Sequence, residues 1–154
     1  MVMGVNILID LRTVTVSLMA AISALLLASS TVNAHTPPPH AKVYFINLVD
    51  GAVVKSPFKV EFGITGFGIT PAGTVGKRRH TAGHHHLLVD VEKLPALDEA
   101  LPRDAQHIHF DQGETETLLD LPAGWHRLQL LLGDEQHEPH EPPLVSDRIT
   151  ITVE

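Results

Sequence analysis

The clearest pattern along the chain is alternation with period two. Phe58-Lys59-Val60-Glu61-Phe62-Gly63-Ile64 sets apolar against polar positions, which predicts a strand with one buried and one wet face. The same pattern recurs over Asp147–Val153, where Ile149, Ile151 and Val153 interleave with Thr150 and Thr152. Lys42–Leu48 is β-branched and aromatic, and Trp125–Leu132 puts Leu128, Leu130 and Leu132 on one face. Further strands are predicted over His85–Val91, His107–Phe110 and Glu114–Leu121. Turn signals stand between them at Asp50-Gly51, Asp111-Gln112-Gly113 and Pro122-Ala123-Gly124. The glycine-rich stretch 65–83 reads as one long loop, Leu94–Gln106 as a connection with room for a helical turn, and Gly133–Pro143 as a Pro- and His-rich loop. Seven short strands without a convincing helix predict an all-β, immunoglobulin-like antiparallel sandwich, with a small barrel as the alternative.

The first residues break this pattern. Arg12 precedes an uncharged run, Thr13–Ser30, that ends in Thr31-Val32-Asn33-Ala34, with small residues at the positions an export peptidase reads. That is the layout of a cleavable signal peptide, 1–34, and it predicts a periplasmic or secreted bacterial protein; an uncleaved anchor is the alternative. Residues 35–41 form a Pro-rich lead-in, and 42–154 the sandwich domain. Cleavage leaves 154 − 34 = 120 residues, enough for one modest core.

Composition narrows the partners. Asp10 and Arg12 cancel, so the mature domain keeps the net charge of −7, which argues against nucleic acid. The only basic cluster, Lys77-Arg78-Arg79-His80, reads as solvated loop charge. No cysteine is present, and all three methionines lie in the leader, so a metal site has only imidazole, carboxylate, carbonyl and terminal amine to use. That donor set disfavours Cu(I) and suits Cu(II), Zn(II) or Ni(II).

The candidate chemistry is histidine, of which the chain has eleven. In an up-and-down count of the predicted strands, His35, His40, His80, His84, His85, His86, His107, His109, His137 and His140 fall at one pole of the sandwich, and His126 at the other. Strand neighbours alternate faces, so His84 and His86 point together while His85 opposes them, and His107 shares a face with His109. Two such pairs on adjacent elements present three or four imidazoles to one centre. The candidate ligands are therefore His84, His86, His107, His109, His137 and His140, with His35, His40 and His85 as weaker ones; Asp90, Asp111 and Asp134 are candidates to orient the imidazoles. Cleavage after Ala34 would also give His35 a free amine beside its ring, a bidentate grip for Cu(II).

The residues around these histidines carry a family resemblance. Lys42-Val43-Tyr44-Phe45-Ile46, Gly83-His84-His85-His86-Leu87-Leu88-Val89-Asp90, Gln106-His107-Ile108-His109-Phe110, Leu128-Gln129-Leu130-Leu131-Leu132-Gly133-Asp134 and His137-x-Pro139-His140 resemble the bacterial domain of unknown function 4399. The resemblance spans nearly the whole mature domain and implies an exported protein whose activity is unassigned. The basic insertion Lys77–His80 departs from that family's pattern, and His35 is not among its motifs. A looser similarity, over the first mature residues, is to CopC-type periplasmic copper carriers.

Three functions follow as expectations. The first is a non-catalytic exported module that binds a divalent transition metal, Cu(II) or Zn(II). The second is a domain that binds a cell-envelope protein or ligand, its histidines forming a structural network or a pH-sensitive cluster. The third is a metal enzyme, a zinc hydrolase with Glu61 or Asp111 as base or a copper oxidase, for which the chain shows no nucleophile motif, phosphate loop or paired carboxylates.

Overall fold

The computed structural model describes residues 36–74 and 81–154. The leader, His35 and the cluster Lys77–His80 lie outside the described residues. The elements in order are β1 (Lys42–Phe45), β2 (Val53–Val54), β3 (Phe58–Thr65), β4 (Gly68–Ile69), β5 (Ala82–Val89), β6 (His107–His109), β7 (Glu116–Leu119), β8 (Gly124–Gly133) and β9 (Ile149–Val153). They build two sheets. One has the order β1-β3-β7, and the other β2-β9-β8-β5-β4 with β6 added alongside β5. The all-β sandwich expected from the alternation is the fold observed.

Period two explains which side chains meet. From β3, Phe58, Val60 and Phe62 point inward, and from the facing sheet come Leu87, Val89, Leu128, Leu130, Leu132, Ile149, Ile151 and Val153. Val60, Leu87, Leu128, Leu130, Leu132 and Ile151 are 0 % exposed, so the two sheets meet across a dry interior. Burying each such side chain contributes about 1.5–3 kcal/mol.

The structure corrects several expectations. Two further strands are present, β2 between the expected first and second strands and β4 inside the stretch 65–83 read as loop, and both pair in parallel, β2 with β9 and β4 with β5. Two residues are too few to show a period, which hid them. β5 begins at Ala82, three residues before the expected start, because Gly83 carries no side chain to reveal the alternation. The connection Leu94–Gln106 holds no helical turn.

The larger sheet carries a second, smaller apolar cluster on the face turned away from the sandwich. Leu88 and Leu131 lie under Leu101, with Val91, Leu94 and Val145 against them. Leu101 N–H donates to the His137 carbonyl at 2.9 Å, so the two connections that roof this face are tied to each other. His84, His86, His107 and His109 lie on that face.

Candidate metal centre

Strand alternation distributes the histidine triplet. His84 sits opposite Gly133 and His86 opposite Leu131, both on the roofed face. His86 is also paired with His109 of β6. His85 turns the other way, into the sandwich, where its ring lies 5.3 Å from that of Phe62. All three are 0 % exposed.

His137 enters from the loop after β8. Its φ of 69° is left-handed, a conformation uncommon for non-glycine residues. Its support is local. Asp134 Oδ1 accepts hydrogen bonds from the backbone N–H groups of Gln136 and Glu138, and the His137 N–H donates to the Asp134 carbonyl. The turn swings the His137 ring over β5.

Four imidazoles then face one another. Ring centroids are 4.6 Å apart for His84–His86, 4.8 Å for His84–His137, 4.4 Å for His86–His109 and 5.0 Å for His109–His137. Two overlapping ligand groups result, His84 with His86 and His137, and His109 with Asp111 and His137. Within each group the ligand atoms lie within 4.8 Å of one another. Ligands about 2.0–2.1 Å from a shared tetrahedral ion stand about 3.3 Å apart, so a shift of an ångström or so closes either group on a metal. Gly133 makes the room: a Cβ there would lie 2.6 Å from Cε1 of His86.

The electrostatics suit a neutral ligand set. Burial pushes His84 down to about 4, with His137 adding to the effect, and His86 down to about 2, with His84, His109 and His137 adding. Burial likewise lowers His109. Unprotonated imidazole is the form that binds metal. Neither ring nitrogen of His84, nor Nδ1 of His109, has a hydrogen-bond partner among the described residues, and His86 meets only the backbone of Leu131. Nε2 of His109 lies 2.7 Å from the Pro102 carbonyl, to which only an N–H can donate, so the free lone pair falls on Nδ1. At the open side, Asp111 accepts from Arg103 at 2.8 and 3.0 Å and lies 3.1 Å from Nε2 of His137. Burial acts to raise the Asp111 carboxyl, but Arg103 and His137 outweigh it and hold the group below its ordinary range.

The other sequence candidates are placed elsewhere. His107 shares the roofed face but sits opposite Leu88, its Nδ1 2.8 Å from Asp104. Pro139 is bridged to Gly133, so His140, the next residue, turns to the opposite side and packs 5.0 Å from the ring of Phe67. His40 lies beside Gly66. Asp90 is at the far end of β5, bound to His126 at 2.8 Å. Asp134 shapes the His137 turn through the backbone. Glu61 pairs with Lys59 at 2.8 Å, on the other sheet. Arg103, the site's one cation among the described residues, was not anticipated from the sequence. The available signal was its being the sole basic residue between Lys93 and Arg127.

The family described as Domain of unknown function (DUF4399) matches residues 60–154, a span that runs from β3 to the end of β9 and holds every member of the cluster. The chain belongs to this family. No curated protein and no solved structure matches it. The DUF4399 assignment thus agrees with the motif resemblance, while the likeness to CopC-type copper carriers finds no support in these comparisons. Within the DUF4399 domain, His84 and His86 of β5, His109 of β6 and His137 of the β8–β9 connection come together, while His85, His107 and His140 do not.

Proposed function

We propose that this DUF4399 protein is an exported, non-catalytic module of the bacterial envelope that binds one divalent transition metal, Cu(II) or Zn(II), through His84, His86, His137 and Nδ1 of His109. The observation that carries this reading is the set of buried imidazole nitrogens, both of His84 and Nδ1 of His109, that meet no hydrogen-bond donor or acceptor among the described residues. Leaving a buried polar atom unsatisfied costs about 1–3 kcal/mol. A structural network would satisfy these atoms, as it does at His107 and His126. A metal ion satisfies them together and stabilises the fold it completes. The leader read from the sequence supports export.

The test is a titration of the purified protein with Zn(II) and Cu(II) against a competing chelator. The expected result is one ion per chain with micromolar or tighter affinity. His137→Asn keeps a residue that tolerates left-handed φ while removing a ligand, and is expected to weaken binding at least tenfold. Absent or millimolar binding of both ions to the wild-type protein would refute the proposal.

A further inference from the structure

The two ligand groups differ in depth and in donor type. His84 and His86 are fully buried; the side chain of His109 is 2 % exposed, that of His137 23 %, that of Asp111 34 %, and that of Arg103 59 %. Side-chain exposure therefore rises from the all-imidazole group to the mixed imidazole–carboxylate group. Asp111 supplies the only negative charge in either group and is the most exposed member of its group. That charge is engaged by Arg103. The same guanidinium nitrogen that holds both Asp111 oxygens also lies 3.3 Å from Nε2 of His137.

We infer that the two groups are successive stations for one ion. This rests on the metal-binding reading above. The dication displaces Arg103 from Asp111 and is captured by Asp111, His109 and His137. It then moves inward, exchanging the Asp111 carboxylate for His84 and His86 while His109 and His137 remain bound. Asp111 returns to Arg103 once the ion has passed. The exchange is of ligands only, with no change of oxidation state. His137 belongs to both groups, and its turn is anchored by Asp134, so the shared ligand stays at the boundary between them.

Stopped-flow loading of the full protein with Co(II), followed by its visible absorption, tests the idea. Asp111→Asn is expected to slow association about tenfold. Dissociation into excess chelator should slow with it, since the same station lies on the way out, leaving the equilibrium affinity within about threefold of wild type. Arg103→Gln removes the competing cation and is expected to speed both steps. Should Asp111→Asn fail to fold, the Arg103→Gln rates decide. The inference is overturned if Asp111→Asn weakens affinity tenfold with an unchanged association rate, which would make Asp111 a resident ligand. It is equally overturned if neither rate changes, or if Arg103→Gln loads more slowly. Failure of the wild-type protein to bind Co(II) or Zn(II) at all is a different result and removes the metal-binding reading itself.

Discussion

Gly133→Ala probes the centre without touching a ligand. Gly133 is not at positive φ, so its backbone accepts any residue, and adding a Cβ in a strand would by itself favour the fold by about 0.5–1 kcal/mol. Yet the new Cβ would stand 2.6 Å from Cε1 and 3.1 Å from Nδ1 of His86, against the roughly 3.5–4.0 Å of normal carbon contact. The His86 ring must therefore retreat by about 1 Å into a space already closed by His84, His109 and His137. Overpacking of that kind costs about 1–3 kcal/mol, which exceeds the backbone gain. The melting temperature of the metal-free variant should fall by several degrees. Displacing one of the four proposed ligands should also weaken Zn(II) binding, so that added Zn(II) raises the melting temperature less than it does in wild type. Thermal melts with and without chelator, beside the competition titration, read both effects. A variant as stable as wild type and equally responsive to Zn(II) would refute the placement of His86 against β8.

Other perturbations separate the site from its surroundings. His85→Leu removes an imidazole whose two nitrogens find no hydrogen-bond partner among the described residues, facing Phe62; it should leave metal affinity unchanged and raise the melting temperature. Metal-free protein should lose stability as pH falls from about 6.5 to about 4. Burial holds His84 and His85 near 4, so the unfolded chain takes up protons first; the gap from 6.5 corresponds to about 3 kcal/mol per group at most. Denaturant melts across that range, compared with His85→Leu, measure the His85 share. His126 has the opposite sign: burial acts to lower it, but hydrogen bonds to Asp90 and the Pro122 carbonyl leave it raised. Its contribution is full below 6.5 and is lost as pH rises through its folded value, so His126→Gln should matter less to stability at pH 9 than at pH 6.

The sequence made the site legible to the extent that strands made it. Alternation alone separated His84 and His86 from His85, and His109 followed because β6 pairs directly with β5. The two missed strands lie inside connections, so they did not change which ends of the long strands come together. Loop residues were another matter. His137 and His140 carry no periodicity, and what divides them is the Gly133–Pro139 bridge, a pairing without a local signature. His107 followed the right face but sits two residues farther along the sheet, beside Leu88, where Asp104 engages it. Arg103 was hidden for the same reason: its reach to Asp111 depends on Leu101 being buried against Leu88 and Leu131, a tertiary fact.

The triplet on β5 has a consequence for how the chain finds its register. Sliding that strand by a single residue would send two imidazoles into the greasy interior, bring Leu87 out beneath the roof, and leave that face with His85 alone of the triplet. Three identical letters in a row, which on their face invite slippage, thereby act as a lock: only one frame leaves a side-chain-free position across from His84 and a leucine-lined interior behind it.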